Sequence, residues 1–131
     1  MFTGIISKTS KVKNVKPING SFCVEIANNL GKIKLGESIN VSGVCSTVKK
    51  TGGSISFEYM PETLKLSNLG LLNKDDTVNI EQSMRWGDRI DGHMVLGHID
   101  GKGKILNITK EGNSRVFEIK IPGKKFMKFL V

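Results

Sequence analysis

Two histidines and two cysteines are the side chains in this sequence best suited to metal binding or proton transfer. His93 and His98 stand five residues apart in the segment GHMVLGHIDG, and Cys23 and Cys45 lie well before it. Side chains alternate across a strand, and five helical steps of about 100° also separate two rings. Neither element would aim both imidazoles at one ion, and no CxxC or HExxH spacing is present. The sequence therefore predicts no metal site.

His98 and Cys45 remain candidates for proton transfer or nucleophilic chemistry. An unperturbed imidazole titrates near pH 6.5, so it can give and take protons at neutral pH. Each residue also has a structural interpretation, because a histidine can be a fixed hydrogen-bond donor and a cysteine can be a buried small apolar side chain. Residue type alone leaves both interpretations open.

Composition indicates a single globular domain with a lysine-rich surface. The chain has 131 residues, a net charge of +8 and a sequence pI near 9.6. Arginine occurs only at Arg85, Arg89 and Arg115, and aromatic residues make up 6%. Nucleic-acid recognition favours arginine forks and clustered aromatic side chains, so we expect no nucleic-acid partner.

Nothing in the sequence suggests a membrane or a secretory route. No apolar run approaches the roughly 18 residues of a membrane span, and the N-terminus lacks the basic and apolar regions of a signal peptide. Two cysteines of unlike context are typical of a reducing compartment, so we predict a cytoplasmic protein.

Strand patterns dominate, with turn signals about every dozen residues, which predicts an all-β barrel or sandwich. The predicted strands cover residues 2–12, 21–27, 38–50, 54–60 and 76–82. Within 38–50, alternation predicts one face with Ile39, Val41, Gly43, Cys45 and Thr47 and an opposite face with Asn40, Ser42, Val44, Ser46 and Val48.

Two helices are predicted. Pro61 suits the first turn of a short helix, Glu62 suits its positive end, and Gly70 should stop it. Residues 122–131 place Phe126, Phe129 and Leu130 at helical spacing, which we interpret as core packing.

One offset of 93 residues relates the two ends of the chain. It carries Gly4-Ile5-Ile6 onto Gly97-His98-Ile99, Lys11-Val12 onto Lys104-Ile105, and Val24-Glu25-Ile26 onto Phe117-Glu118-Ile119. We therefore predict a complete module over residues 1–93 and an incomplete second copy over residues 94–131. Glycines at the junction would permit tight bends and close approach of the backbone.

These blocks together resemble the riboflavin synthase family, in its form with two tandem lumazine-binding barrels. MFTGII is similar to the family's opening, SGVCSTV to its Gly-x-Cys-Leu-Thr-Val segment and YMPETLKLSNLG to its helix. GHMVLGHIDG, residues 92–101, is similar to the segment that joins the family's two barrels, and we call it the seam. The resemblance implies a six-stranded antiparallel Greek-key barrel with a short helix, followed here by an incomplete second repeat.

The resemblance also implies a reaction and its partners. The family converts two molecules of 6,7-dimethyl-8-ribityllumazine into riboflavin and 5-amino-6-ribitylamino-pyrimidinedione by moving a four-carbon unit, without a metal or cofactor. Its sites form between barrels of neighbouring subunits in a homotrimer, and lumazine synthase is a further candidate partner. Because the second repeat is incomplete, we expect this chain to be truncated and to bind ligand with little turnover.

Site residues follow from the matching motifs. The resemblance implies catalytic roles for His98, Cys45 and Thr47, and a mainly structural role for His93. The implied substrate-binding residues are Gly4, Ile5, Ile6, Cys45, Ser46, Thr47, Glu58, Tyr59, Met60, Pro61, Glu62, Thr63, Gly97, His98 and Ile99. For Glu62, stabilisation of the helix dipole is an alternative role.

One departure and one rival interpretation remain. The family usually has leucine at position 46, and alternation directs Ser46 away from Cys45 and Thr47, so this change concerns packing more than chemistry. The rival is a non-catalytic lumazine- or flavin-binding protein of the same fold. Such binders tend to have lost the seam histidine, so His98 favours the enzyme.

Overall fold

A computed structural model describes residues 1–129 of the chain. The chain divides into two compact units, the first spanning Met1–Ile99 and the second beginning at Asp100. This division falls six residues after the predicted end of the first module, so residues 94–99 lie with the first unit. Among the described residues, no helix combines the length and apolar character that a membrane crossing requires.

The first unit is a closed six-stranded antiparallel barrel, which confirms the predicted fold. Around the barrel the strands follow the Greek-key order β1-β2-β5-β4-β3-β6. Their bounds are β1 Lys8–Ile18, β2 Ser21–Ala27, β3 Ser38–Val41, β4 Val44–Lys50, β5 Ser54–Tyr59 and β6 Thr77–Gln82. The inward faces carry β-branched and aromatic side chains, including the fully buried Val24, Ile39, Ile55 and Phe57. Such residues fit a pleated, half-buried surface.

The prediction of strand faces for residues 38–50 was partly wrong. Ser42 and Gly43 adopt positive φ angles of 48° and 95°, forming a two-residue hairpin turn between β3 and β4. Primed turns of this kind match the twist of the flanking strands. The turn puts Ile39 opposite Ser46, on the inward face, whereas Cys45 and Thr47 face outward as a pair. The predicted separation of Ser46 from Cys45 and Thr47 is confirmed.

The first predicted strand begins later than expected. β1 starts at Lys8, and before it the chain forms an isolated β-bridge between Phe2 and Val95. Gly4 has a φ of 80°, which breaks an extended run. The next strand occurs as predicted over Ser21–Ala27, after a turn at Asn19 and Gly20.

The short helix, α1, spans Pro61–Leu66 with Pro61 in its first turn as predicted, but it ends before Gly70. The Ser67 backbone N–H and hydroxyl both donate to the Thr63 carbonyl, at 3.0 and 2.7 Å. The N–H bond belongs to the helical ladder, and the hydroxyl shares its acceptor, which weakens the ladder at the residue where the helix ends.

The second unit is a two-stranded hairpin of β7 Lys104–Glu111 and β8 Ser114–Lys120. After it, Lys124–Phe129 forms a 3₁₀ helix within the predicted helical segment, whereas Leu130 and Val131 lie outside the described residues. Phe126 is half-buried beside Pro122 and Gly101.

The hairpin reproduces the register of β1 and β2 at the predicted offset of 93. In β1–β2 the pairing shifts between Val12 and Asn14, and in β7–β8 it shifts between Ile105 and Asn107. The flanking partners also correspond, since Val12 pairs with Ile26 and Ile105 pairs with Ile119. A shared bulge at the same position supports an internal repeat, because a bulge is a specific local feature of the chain.

Candidate functional site

A cleft opens where β4 and β5 separate. The last aligned pair of this ladder is Val48 with Phe57, and toward Cys45 and Met60 no further pairs follow. The cleft measures about 300 Å³. Its lining residues are Cys45, Ser46, Thr47, Lys49, Glu58, Tyr59, Met60 and Thr63.

Seven of these eight lining residues belong to the set that the sequence predicted. Lys49 is the exception, although it follows Thr47 by two positions on β4. Strand alternation therefore offered a signal for Lys49 that the motif comparison missed. Its ammonium group adds a cation to a wall that otherwise presents a thiol, hydroxyls and a carboxylate.

Gly97 brings the seam segment against Cys45. The Cys45 backbone N–H donates to the Gly97 carbonyl at 2.8 Å. Gly97 has a φ of 73°, and a Cβ there would lie 2.9 Å from the Cys45 Cβ. Only glycine permits this approach, which places the backbone of Gly97 directly against β4 at Cys45.

Ile99 and His98 point into different surroundings. Ile99 is half-buried, packs against the barrel core and lies near Gly43. His98 is exposed and does not line the cleft. Its neighbour Gly97 is fixed to Cys45, so the histidine is held at the edge of the site with its imidazole open to solvent.

Gly4, Ile5 and Ile6 lie apart from the cleft lining. Phe2, which precedes this segment, is bound to the seam, because the backbones of Phe2 and Val95 exchange hydrogen bonds of 2.9 and 3.0 Å. Phe2 and Val95 are themselves related by the offset of 93, so equivalent segments of the two repeats pair with each other. The His93 N–H donates to the Thr3 carbonyl at 2.9 Å, which gives His93 a structural place in this pairing.

A buried carboxylate anchors the N-terminal segment. Glu81 Oε1 accepts hydrogen bonds from the Thr3 N–H at 2.6 Å and from the Thr3 hydroxyl at 2.7 Å. Glu81 is 7% exposed and borders a second, open cavity of about 850 Å³ at this end of the barrel. The sequence analysis missed Glu81. Its burial results from contact with the N-terminal segment, and strand alternation gives no sign of that contact.

Pro61 and Glu62 are exposed and lie outside the cleft lining, whereas Thr63 of the same helix lines it. Glu62 is 3.8 Å from the ammonium group of Lys65 on the helix surface. The position of Glu62 in the first turn also suits the helix dipole.

Two further polar contacts shape the walls of the cleft. Glu58 accepts a hydrogen bond of 2.6 Å from the Ser21 hydroxyl, which orients its carboxylate. The Tyr59 hydroxyl bonds Ser46 Oγ at 2.8 Å, and burial raises the pKa of Tyr59 above its usual value while this hydrogen bond lowers it by less. Tyr59 therefore stays neutral at physiological pH.

Burial also raises the pKa of the Cys23 thiol, and the carboxylates of Glu25 and Glu58 raise it further. Within residues 1–129, no three His, Cys, Asp or Glu side chains are grouped closely enough to hold a metal ion. The side chains that line the cleft can offer hydroxyl, thiol and carboxylate hydrogen bonds to a small ligand.

The family model of the lumazine binding domain matches residues 3–83. Among curated proteins, the chain is 38% identical to the riboflavin synthase of Actinobacillus pleuropneumoniae, over all of this chain and 62% of that protein. It is 34% identical to the riboflavin synthase of Escherichia coli (strain K12), over all of this chain and 63% of that protein. The chain thus spans about three fifths of the length of these relatives.

Solved structures of LumP share the fold. LumP complexed with riboflavin matches 98% of this chain and 71% of its own, with a TM-score of 0.84 and 23% identity. LumP complexed with 6,7-dimethyl-8-(1'-D-ribityl) lumazine matches 95% and 71%, with a TM-score of 0.81 and 23% identity. At this level of identity the similarity concerns the fold alone.

Proposed function

The chain belongs to the lumazine binding domain family, and from this premise we propose that its barrel binds the ring of 6,7-dimethyl-8-ribityllumazine in the cleft between β4 and β5. We further propose that the protein acts as a riboflavin synthase, producing riboflavin by four-carbon transfer between two lumazines. The observation that supports the proposal is the contact of Gly97 with Cys45, which brings the seam against a strand that lines the cleft.

The proposed roles follow the positions of the side chains. Cys45 and Thr47 face outward on β4, where thiol and hydroxyl reach the cleft. The backbone of residues 97–99 would meet the polar edge of the heterocycle. Glu58 and Thr63 would hold the ribityl hydroxyls, because carboxylate and hydroxyl oxygens both accept hydrogen bonds.

His98 is the proposed proton-transfer group. The 7-methyl protons of the lumazine are unusually acidic, so the reaction begins with removal of one proton by a base. The imidazole of His98 lies beside the cleft and has a ring nitrogen that can accept a proton, and general acid–base catalysis typically contributes about 10²–10⁴-fold. Holding two lumazines in fixed orientation would supply about 7–11 kcal/mol more.

Gly4, Ile5 and Ile6 are proposed to serve the equivalent site of a complete second repeat. The offset of 93 makes them the counterparts of residues 97–99, which adjoin Cys45 of the first barrel. A homotrimer, a cytoplasmic location and an association with lumazine synthase belong to the same proposal. With only the start of a second repeat, this chain would bind ligand and turn it over slowly.

The alternative function is binding of lumazine or flavin without catalysis. The fold similarity to LumP supports it, since LumP is solved with riboflavin and with the lumazine. The exposed His98 beside the cleft supports the enzyme. The two proposals agree on ligand binding and differ on turnover.

Fluorescence titration with 6,7-dimethyl-8-ribityllumazine and a riboflavin assay test the proposal. We expect saturable binding by this chain, with little riboflavin formed.

In a chain carrying a full second repeat, His98→Ala should lower turnover by about 10²-fold or more while leaving lumazine affinity largely unchanged. His93→Ala is the matched control and should keep the rate. If the chain does not bind the lumazine, the proposed ligand is wrong. If His98→Ala keeps the rate of the unaltered protein, His98 is not the proton-transfer group.

A further inference from the structure

Two buried hydroxyls stand where the ladder between β4 and β5 ends. Extending the alignment of Val48 with Phe57 by two residues places Ser46 directly opposite Tyr59. Both residues are buried, at 2% and 3% exposure, and their hydroxyl oxygens are 2.8 Å apart. At this position a bond between side chains links the strands.

The direction of the hydrogen bonds can be assigned. Ser46 Oγ donates to the Val44 carbonyl at 2.9 Å. A serine hydroxyl has one hydrogen, so Ser46 must accept from Tyr59. The phenol hydroxyl is therefore the donor, which agrees with a Tyr59 that stays protonated.

The chain of hydrogen bonds continues through a peptide group. The Val44 carbonyl that accepts from Ser46 belongs to the same peptide plane as the Cys45 N–H, which donates to the Gly97 carbonyl at 2.8 Å. Successive hydrogen bonds of this kind polarise one another, particularly where water is excluded. Tyr59, Ser46, the peptide between Val44 and Cys45, and Gly97 thus form one connected series.

We propose that Tyr59 and Ser46 are positioning residues, which hold the segment of Gly97 and His98 against Cys45 through this series. The inference rests on the proposed function, because it concerns how the lumazine site is kept in shape. It also changes the role of both residues, which line the cleft but whose hydroxyl hydrogens are both engaged within the series. The family usually has leucine at position 46, so the series is a feature of this chain.

Loss of either hydroxyl should loosen the seam without removing a hydrogen-bond donor that is free to bind ligand. Tyr59→Phe keeps the ring and removes the donor, and Ser46→Ala removes the link to Val44. Each variant should weaken lumazine binding about three- to tenfold, as expected for one net hydrogen bond. Because both hydroxyls act in series, the double variant should be only slightly weaker than either single variant.

Ser10→Ala provides a matched control. Ser10 is also 2% exposed, and its hydroxyl donates to the Ala27 carbonyl at 2.6 Å, away from the cleft. This variant should lose stability comparably and keep the lumazine affinity. Amide hydrogen exchange at Cys45, followed by NMR, gives a readout that needs no ligand. Exchange at Cys45 should accelerate about three- to tenfold in Tyr59→Phe and Ser46→Ala relative to Ser10→Ala.

Unchanged Cys45 exchange in Tyr59→Phe would overturn the inference, as would additive losses of lumazine affinity in the double variant. If the unaltered chain binds no lumazine, the proposed function fails, and Cys45 exchange still decides whether the series positions the seam. If Ser46→Ala does not fold, Tyr59→Phe carries the comparison, because it removes one oxygen atom and retains the packed ring.

Discussion

Tyr59 is a phenol enclosed in the barrel wall, and its burial has a consequence at high pH. Burial raises the pKa of Tyr59 above its usual value of 10.0, so the unfolded chain loses this proton before the folded chain does. The folded state then binds more protons, and stability must fall as pH rises above about 10. The contribution of Tyr59 is fully present below that pH. We predict an added decline in the free energy of unfolding of about 1.4 kcal/mol per pH unit.

Tyr59→Phe isolates this effect, because the two proteins share every other ionisable group. Denaturant unfolding at several pH values between 9 and 11 should show the steeper decline only for the unaltered protein. Parallel curves for the two proteins would show that the Tyr59 hydroxyl ionises without cost in the folded state.

Gly97 is the residue on which the approach of the seam depends. In Gly97→Ala, the new Cβ would lie 2.9 Å from the Cys45 Cβ, in addition to the strain of a positive φ. We predict at least a tenfold loss of lumazine affinity, equivalent to about 1.4 kcal/mol. Gly20→Ala is the control, because Gly20 has a φ of 84° and open space around it. Equal affinities in the two variants would argue against contact between the seam and the ligand.

The identity of the cleft residues could be predicted better than their individual geometry. Motif resemblance identified Cys45, Thr47 and Glu58, which meet in one cleft. It also grouped Gly4 with them, although Gly4 lies on the segment bonded to residues 93–95. A motif shows which residues occur together in a sequence but not which of them meet in space. The offset of 93 was needed to distinguish the segment of Gly4 from its counterpart at Gly97, which contacts Cys45.

At the scale of elements, strand existence followed from alternation, but the ends of strands did not. A two-residue turn at Ser42 and Gly43 moves the inward positions from Ile39 and Val41 to Val44 and Val48. Reading residues 38–50 as one strand hid this change of parity. The seam could not be assigned from periodicity either. Its position depends on hydrogen bonds with Phe2 and Cys45, which are remote in sequence.

The N-terminal segment depends on Glu81, which gives a prediction at the scale of elements. Two donors of Thr3 bond one carboxylate oxygen of Glu81. Hydrogen bonds to a charged acceptor are stronger than neutral ones, so Glu81→Gln should lower the free energy of unfolding by about 1–2 kcal/mol. Urea unfolding measures this loss. Glu118→Gln, at an exposed position of β8, should change little, and equal values for both variants would contradict the anchoring role.

At the scale of the whole molecule, the offset of 93 predicted a second copy of the first two strands, and the structure adds that both pairs carry a bulge at the same position. The two hairpins differ in burial, since Val12 and Ile26 are fully buried whereas Ile105 and Ile119 are about half exposed. The sequence could indicate the repeat because paired strands keep their register. It could not set the limit of the first compact unit, which includes the seam up to Ile99.

Shortened chains test that limit. A chain of residues 1–99 should keep the thermal stability of the barrel and its lumazine affinity, because the first compact unit ends at Ile99. A chain of residues 1–91 loses the partners of Phe2 and Cys45 in the seam, so its melting temperature should fall and binding should weaken at least tenfold. Thermal unfolding and fluorescence titration measure both. Equal behaviour of the two chains would show that residues 92–99 add nothing to the barrel.

The most direct test of the account is an NMR titration of the amide resonances with 6,7-dimethyl-8-ribityllumazine. We predict saturable shifts concentrated at residues 45–47, 58–63 and 97–99, with the second cavity beside Glu81 unaffected. Shifts confined to that second cavity, or spread over the surface without saturation, would contradict a lumazine site between β4 and β5.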